Sequence, residues 1–496
     1  MTLSRASRDR LVALLALAVF AAVLGALLGR HEMWRDELQA WMLARDSGSL
    51  AELWRNTRYE GHPLLWHLLL LVPAHVFASP AAMQALHWLV ATAATAVVLL
   101  RAPFSLPARV LIVFSYLPLF EYGVISRNYA LTVLGLWLAC AALAGSRTPW
   151  PAVAAAVLAA NASPLGVVVA PALGAAIALT PAWRRRRVLP LAVLVAGVAL
   201  AAWQCLPPSD YEHAREWVFS LSAERVAFVL RGYAVALLPV PAGGLHFWGS
   251  SALLPAYPFS AGSAGSIAAL AGVIVAATVA AVAHAARPSA RALAAWLVGA
   301  VSLLLFAYVK LPGAVRHHGF LWLLALACLW LAAADGAVGR RRQNLLLAPF
   351  LVAGVWAAAI AAWRDWREPF SGARCAAEEV RRQGLDRLPL VGSADYAVSG
   401  VAGYLPRGRV YYPASDRVGS FIVWNLARAR QDALTQSEVV AAAAARNRGE
   451  RFVLLLNAPL AARLAGGCRN VVHCGPAIVG DEELWGYLCG GPGAVR

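Results

Sequence analysis

Long apolar runs, separated by short polar stretches, fill the chain as far as Trp363. The first run, Leu11–Gly29, contains no charged residue, and an uncharged run of about 18 residues or more is long enough to cross the hydrocarbon core of a membrane. It is too long for the apolar core of an ordinary signal peptide, so we predict a retained helix. The pattern predicts a polytopic α-helical membrane domain over residues 1–363. The predicted membrane helices are 11–29, 63–79, 83–100, 107–125, 129–145, 150–162, 164–180, 188–204, 264–285, 292–309, 318–335 and 344–363.

The pattern changes after Trp363. Polar helical stretches now alternate with short apolar runs of strand length, and Asp432–Arg446 has the pattern of a helix. This mixture predicts a small α/β domain over residues 364–496. The predicted strands are Leu388–Gly392, Arg409–Tyr412, Phe421–Trp424, Phe452–Asn457 and Ala477–Val479.

Composition and charge support the membrane prediction. Hydrophobic residues make up 60% of the 496 residues and charged residues only 14%, whereas about a quarter of the residues in ordinary soluble domains are charged. Many of the basic residues behind the net charge of +17 cluster in short loops between apolar runs, as in Arg184–Arg187 and Arg340–Arg342. The positive-inside rule requires such loops on the cytoplasmic side. We therefore expect contact with membrane lipids and no binding of nucleic acid.

The basic loops also predict which side each segment faces. They place the N-terminus inside, and the first loop (30–62), the long loop (205–262) and the C-terminal domain outside. The apolar piece Val226–Val240 lies in a loop that begins and ends outside, so it cannot be a simple crossing. Residues 62 and 126 both face outside, yet three candidate segments lie between them, so one must fail to span or must split. The sequence predicts about 11–13 transmembrane helices.

Four of the seven cysteines lie in the predicted C-terminal domain. An even set of cysteines outside the cytoplasm can form two disulfides, but the pairing cannot be deduced from sequence. No spacing of cysteine and histidine suggests a zinc site, so we predict no metal site. The four residues are Cys375, Cys468, Cys474 and Cys489.

The first outer loop carries the strongest candidate chemistry. Asp36 and Glu37 follow closely after the predicted membrane exit, and Trp34 and Trp41 flank them. Ionisable groups at a membrane face, beside apolar walls, are candidates for function. An ordinary solvated loop with a belt of interfacial tryptophans explains the two indoles, but it explains the acidic pair poorly.

Three short motifs at the outer ends of predicted helices carry a family resemblance. They are Asp36-Glu37, Glu60-Gly61-His62-Pro63 and Ser126-Arg127-Asn128-Tyr129-Ala130. Together they resemble the membrane glycosyltransferases of the GT-C type. More narrowly, the chain is similar to the bacterial branch related to protein O-mannosyltransferases and lipid A aminoarabinose transferases, over roughly residues 1–363. The family has His-Pro-Pro where this chain has His62-Pro63-Leu64, and this departure leaves the role of His62 open.

The resemblance implies that Asp36 is the catalytic carboxylate and Glu37 its acidic neighbour. A carboxylate within hydrogen-bond reach takes the proton of an acceptor hydroxyl in the transition state, so we expect Asp36 to be the general base. Glu37 would orient Asp36, bind the acceptor or hold a divalent cation, and the need for a cation stays open. Glu60 and His62 are candidates for substrate binding.

Negative charge that develops on a lipid phosphate needs cations on the outer face, where the positive-inside rule depletes them. Arg127 and the loop that begins at Lys310, the only lysine of the chain, supply such groups. A guanidinium binds phosphate bidentately, and an ammonium acts as a point charge. Attraction to lipid headgroups is the alternative explanation. The residues predicted to bind the donor phosphate are Arg127, Tyr129, Lys310, Arg316, His317 and His318.

The leading hypothesis is a glycosyltransferase that moves a sugar from a polyprenyl-phosphate donor to a lipid, polysaccharide or protein acceptor. The resemblance implies inversion and a place on the outer face of the bacterial inner membrane. The chain has no P-loop, no Gly-x-Gly-x-x-Gly and no Asp-x-Asp, which favours a lipid-linked donor over a nucleotide sugar. The alternative is a polytopic transporter or a flippase of lipid-linked sugars, although paired repeats typical of transporters are not evident. A non-catalytic envelope protein would need fewer helices, and an inactive, degenerate transferase stays open.

Overall fold

The computed structural model describes residues 4–213, 216–260, 262–430 and 434–490 of the chain. Helices dominate its first part, and a π-helix (Leu117–Val124) lies between the sixth and seventh α-helices. The α-helices of this part are α1 (Arg5–Arg30), α2 (Arg35–Arg45), α3 (Leu50–Thr57), α4 (Leu65–Val76), α5 (Ala81–Arg101), α6 (Leu106–Val113), α7 (Tyr129–Gly145), α8 (Trp150–Ala162), α9 (Pro164–Ala178), α10 (Val188–Gln204), α11 (Ala223–Leu237), α12 (Ala264–Ala286), α13 (Ala290–Val309), α14 (Val315–Ala334) and α15 (Arg340–Arg367).

Six of the described helices are long and apolar enough to cross a membrane, namely α1, α5, α12, α13, α14 and α15. This number of apolar helices fits the predicted polytopic membrane protein. Among the six, α14 is the most enclosed, because 83% of its most apolar stretch is buried, against 28% for α1. α14 is packed mainly against α7, α11, α12 and α13. The larger number of crossings expected from the sequence depends on shorter apolar helices and stays a prediction.

The predicted basic loops gather at one end of the helical bundle. Arg291, at the start of α13, donates to the Leu143 carbonyl at the end of α7 over 2.8 Å and lies 2.6 Å from Asp335, just after α14. Ser105, just before α6, hydrogen-bonds Asn344 near the start of α15. We call this end the basic end, and the opposite end, on which the C-terminal sheet lies, the sheet end.

One of the three candidate segments between residues 62 and 126 begins and ends at the sheet end. α4 has 12 residues, or about 18 Å at 1.5 Å per residue, which is short against a hydrocarbon core of about 30 Å. Gln84, in the first turn of α5, donates to the Leu28 carbonyl at the sheet end, so α4 starts and ends on one side. The sequence left open which of the three segments fails to span, and this geometry favours 63–79. α5 and the segment of α6 with the π-helix would then be the two crossings between residues 62 and 126.

α11 lies within the predicted long outer loop and also stays at the sheet end. The Ser222 N–H, just before α11, donates to the Tyr308 hydroxyl near the end of α13. Beyond α11, His246 Nδ1 lies 3.0 Å from the Ile478 carbonyl of the C-terminal region. The structure therefore agrees with the prediction that Val226–Val240 is not a simple crossing.

The C-terminal region forms a mixed six-stranded sheet, in which the first strand is parallel to both of its neighbours and the other pairs are antiparallel. The strand order is β3-β2-β1-β4-β6-β5. The strands are β1 (Leu390–Gly392), β2 (Val410–Tyr412), β3 (Arg417–Gly419), β4 (Phe452–Leu456), β5 (Cys468–Cys474) and β6 (Leu484–Cys489), and the helices are α16 (Ala373–Arg382), α17 (Asp395–Tyr404) and α18 (Gln436–Asn447). We call this region the sheet domain.

Two of the predicted strands are not strands. The Ile422 backbone, within the predicted strand Phe421–Trp424, hydrogen-bonds the Gln39 side chain of α2, so contact with the helical part replaces strand pairing. The predicted strand Ala477–Val479 is likewise a loop on the helical part. β3, β5 and β6 were not predicted. The predicted helix Asp432–Arg446 corresponds to α18, and its first two residues lie outside the described part of the chain.

Two disulfides hold the sheet domain, which answers the question that the four cysteines left open. Cys375–Cys474 joins α16 to β5, and Cys468–Cys489 joins β5 to β6. Disulfides form and persist mainly in oxidising compartments.

The sheet domain is seated directly on α2. Leu38 of α2 is fully buried in a core that it shares with α16 and α17. A Cβ on Gly403 would lie 3.0 Å from the Leu38 side chain, so glycine permits this close approach. The helix that follows the first membrane exit is therefore fixed from two sides, by the bundle and by the sheet domain.

Candidate active site

The two adjacent carboxylates of the first loop point in different directions. They lie in the first turn of α2, where successive side chains are about 100° apart. Asp36 is partly open, with 28% of its side chain exposed, whereas Glu37 is fully buried. We call the partly open region around Asp36 the cleft. Glu37 accepts the Trp34 N–H over 3.2 Å and so satisfies a free N–H at the helix start. The helix geometry thus separates the pair into one open and one closed carboxylate.

Two guanidinium groups hold the Asp36 carboxylate. Arg316 Nη2, from the first turn of α14, lies 3.1 Å from Asp36 Oδ2, and Arg127 Nη1, from the loop before α7, lies 3.6 Å from the same oxygen. Arg127 also donates to the Asp36 backbone carbonyl. Among the described residues, none donates a hydrogen bond to Asp36 Oδ1. One carboxylate oxygen is therefore fixed and the other is free to meet a ligand.

Two tryptophans fix the Arg316 guanidinium. It lies 5.2 Å from the Trp34 ring and 5.5 Å from the Trp248 ring, and the two rings meet edge to face. Such cation–π contacts are stronger when the cation is shielded from water, and only 11% of the Arg316 side chain is exposed. Trp248 in turn donates its indole N–H to Glu121 of the π-helix over 2.9 Å. The two rings therefore keep the Arg316 guanidinium in place without neutralising its charge, as a further carboxylate would.

Tyr129 and His317 form the next part of the cleft. His317 Nδ1 accepts the Ala314 N–H over 2.8 Å, so a neutral imidazole carries its proton on Nε2 and donates it to the Tyr129 hydroxyl, 2.8 Å away. The hydroxyl keeps its own proton for another acceptor. Arg127 lies 5.9 Å from the Tyr129 ring. The pair therefore places a buried O–H donor beside Arg127.

Glu60 and His62 lie at the entrance to α4, on the side of Arg127. Burial lowers the pKa of His62 well below its usual range, and Arg127 lowers it further, so His62 is neutral and accepts the Asn128 side-chain N–H over 3.1 Å. Burial raises the pKa of Glu60 to about 7. Gln39 donates to Glu60 over 2.7 Å. Both predicted substrate-binding residues thus border the cleft around Asp36.

Glu37 serves a different purpose from its neighbour. Its carboxylate accepts the Ser126 N–H over 2.6 Å and pairs with His31, which also pairs with Asp365 at the end of α15. Burial alone would lower the pKa of His31, but Asp365 and Glu37 together raise it to about 10. Glu37 was predicted to be catalytic beside Asp36, yet its oxygens are engaged inside the protein. It joins the first turn of α2, which carries Asp36, to the loop that carries Arg127.

Two predicted phosphate-binding residues lie away from the cleft. Lys310 Nζ donates to the His213 carbonyl over 3.1 Å and lies over the Trp217 ring in the long loop. His318 is 2% exposed and packs on α11, where a Cβ on Gly232 would lie 2.3 Å from its ring. For His318 the reason is helical geometry, because neighbouring residues at the start of α14 point to different sides, whereas Lys310 follows the end of α13. The cationic group at the cleft is therefore smaller than the sequence suggested.

The structure adds members that sequence reasoning missed. Glu121 and Trp248 support Arg316 from behind, and Tyr122 donates its hydroxyl proton to the Arg316 carbonyl over 2.7 Å. Gln39 connects Glu60 to the sheet domain. A lone acid inside an apolar run is a signal that marks Glu121 in the sequence. Trp248 carries no comparable signal, because it lies in a long loop far along the chain.

No family model, no curated protein and no solved structure matches this chain. Among the described residues, no group of three or more histidine, cysteine, aspartate or glutamate side chains is placed to hold a metal ion. What the cleft offers is one open carboxylate oxygen, two arginines and a tyrosine hydroxyl. Such a set can accept a proton and bind an anion side by side.

Proposed function

We propose that this chain is a glycosyltransferase that moves a sugar from a polyprenyl-phosphate donor to a hydroxyl of a lipid, glycan or protein acceptor. The observation that carries the proposal is the Asp36 carboxylate, held through one oxygen by Arg316 and Arg127 while its other oxygen is free. A base and cations for a leaving phosphate are then neighbours, as a transfer of this kind requires.

The reaction balances with these groups. The acceptor hydroxyl attacks the anomeric carbon, and its proton passes to Asp36 as the new C–O bond forms. The bond between the anomeric carbon and the phosphate oxygen breaks, and the polyprenyl phosphate leaves with the electron pair. Arg127, Arg316 and the Tyr129 hydroxyl stabilise the charge that develops on it. Asp36 then returns the proton to solvent.

Two observations support an orientation of the site in the membrane. The arginine-rich loops lie at the basic end, opposite Asp36, and the positive-inside rule assigns that end to the cytoplasm. The sheet domain beside Asp36 contains two disulfides, which favour an oxidising compartment. We therefore propose that the cleft opens on the outer side of a bacterial cytoplasmic membrane, where lipid-linked sugars are used.

Mass spectrometry of envelope glycans tests the proposal. The strains are a deletion, the same deletion with the wild-type gene, and the deletion with Asp36→Asn at equal membrane levels. We expect a sugar to disappear on deletion, to return with the wild-type gene, and to stay absent with Asp36→Asn. Glu52→Gln is the matched control, since this carboxylate lies in the same outer loop and caps Gly48 over 2.8 Å.

The outcomes separate the candidate functions. If Asp36→Asn restores the glycan as fully as wild type does, Asp36 is not the base, and a transporter or flippase explains the deletion better. If Glu52→Gln abolishes the glycan as Asp36→Asn does, the effect belongs to the loop rather than to the cleft. The mass lost on deletion identifies the sugar.

A further inference from the structure

A second polar cavity lies between the ends of α1 and α15 and the sheet domain. Its volume is about 440 Å³, and residues 29–32, 365–375 and 473–475 contribute to its lining. Neither Asp36 nor Arg316 lines it. The cavity is therefore separate from the candidate active site.

Three arginines line this cavity, namely Arg30, Arg367 and Arg374. Within the described part of the chain, none of them forms an ion pair. Arg374 donates one hydrogen bond to the His31 carbonyl over 2.7 Å, and Arg30 lies 5.2 Å from the Trp366 ring. Most of their N–H groups are thus free for a ligand.

The acids of the lining do not cancel this charge. Asp365 is engaged with His31 inside the protein. Burial raises the pKa of Glu32 to about 7, although Arg374 lowers it, and Glu32 Oε2 is buried without a hydrogen-bond partner in the described part of the chain. In its protonated form Glu32 can donate to a phosphate oxygen. Glu368 is the remaining acid of the lining.

The cavity opens where the helices leave the membrane. Trp363 and Trp366, near the end of α15, are 49% and 45% exposed, and tryptophans concentrate at the interface between membrane and water. Apolar side chains such as Val19 on α1 and Trp356 on α15 are exposed further along the two helices. A ligand with a charged head and apolar tails would meet complementary surfaces.

We propose that this cavity binds the phosphate headgroup of an anionic membrane lipid. Arginine is well suited to phosphate because its planar N–H groups bind two oxygens at once. The positive-inside rule depletes the outer side of basic residues. Phosphate binding gives a physical reason for the three arginines on that side. The proposal rests on no part of the proposed transferase activity, because the two sites share no charged residue.

Native mass spectrometry of the purified full chain tests this proposal. The protein in detergent is offered equal amounts of phosphatidylglycerol and phosphatidylcholine, and retained lipid is counted. We expect wild type to favour the anionic lipid about tenfold, as loss of hydrogen bonds to a charged group would imply. The double variant Arg30→Gln/Arg367→Gln should lose this preference. Arg364→Gln is the matched control, because Arg364 is stacked on Trp363 but does not line the cavity.

Three results would overturn the proposal. The first is equal retention of phosphatidylglycerol by wild type and by the double variant, and the second is an equal loss of the preference in Arg364→Gln. The third is displacement of the lipid by inorganic phosphate at a similar concentration, which would assign the cavity to a soluble phosphate ligand. Should the double variant fail to fold, Arg367→Lys and Arg367→Gln replace it. The lysine variant should then retain more anionic lipid than the glutamine variant.

Discussion

Two arginine–carboxylate pairs at opposite ends of the bundle differ in how completely they are satisfied. At the basic end, Arg291 binds both oxygens of Asp335, over 2.6 and 3.0 Å, and also donates to the Leu143 carbonyl. At the sheet end, Arg316 touches one oxygen of Asp36, and its buried Nε has no hydrogen-bond partner among the described residues.

The difference teaches how a fold separates structure from chemistry. A guanidinium whose donors are filled by protein groups has little to offer a ligand, and it ties helix ends together instead. A guanidinium held by aromatic rings keeps its donors available, since the rings fix its position without using its N–H groups. The closed pair, Arg291 with Asp335, stabilises the fold, and the open pair, Arg316 with Asp36, can bind a ligand.

The strongest test of this comparison replaces each of the two carboxylates by an amide, in separate variants. Asp36→Asn should lower sugar transfer by about 10²–10⁴-fold, because the general base is lost, while the melting temperature stays close to that of wild type. Asp335→Asn should leave transfer per folded molecule unchanged and should destabilise the protein by about 1–3 kcal/mol, since a partly exposed pair loses less than a buried one. Transfer to membranes containing acceptor and thermal unfolding of the purified protein measure both. A large loss of transfer in Asp335→Asn would contradict the division.

Arg316→Lys tests whether the planar group itself matters. We expect a loss of transfer of about 10²-fold, since an ammonium lacks the planar, delocalised charge that lies near the Trp34 and Trp248 rings and does not bind phosphate bidentately. The loss should fall mainly on turnover rather than on KM, because the charge is needed most in the transition state. Arg291→Lys provides the control at the basic end. Equal transfer by Arg316→Lys and wild type would show that the contacts of the Arg316 guanidinium with Trp34 and Trp248 have no catalytic purpose.

The pairs of His31 predict a pH dependence of stability. The pKa of His31 is raised from 6.5 to about 10 in the folded protein, so its stabilising contribution is complete below about pH 6.5 and is lost as the pH rises toward 10. The melting temperature of wild type should therefore fall across this range. His31→Gln should melt at a lower temperature at pH 6.5. Its melting temperature should also fall less as the pH rises, because unfolding no longer releases the proton of His31. Parallel slopes for the two proteins would refute the assignment.

The smallest expected effect belongs to Lys310. Because its ammonium contacts the His213 carbonyl and the Trp217 ring rather than the cleft, Lys310→Gln should change transfer by less than about twofold. Arg127→Gln, measured in the same membranes, should reduce transfer by about 10²-fold. A large effect of Lys310→Gln would place the long loop in the donor site and would restore the wider cationic group predicted from the sequence.

The sequence alone indicated the apolar helices, the separate C-terminal domain and Asp36 as a candidate for catalysis, because each of these depends on local pattern. Apolar runs, basic loops and an acidic pair after a helix are visible without any long-range contact. The structure places Arg127 and Arg316 beside Asp36, as the sequence predicted, and their roles in phosphate binding stay predictions. It directs Glu37 and His318 into the protein interior, because neighbouring side chains on one helix diverge.

By itself, then, the sequence determined a largely helical chain with apolar helices long enough to cross a membrane and with a small α/β domain near its C-terminus. The tertiary structure decided that α4 returns to its own side, that Glu37 is closed and Asp36 open, and that Trp248 reaches Arg316. The physical reason is that hydrophobic periodicity acts within one segment, whereas the direction of a side chain and the partner that satisfies it depend on elements far apart in the chain.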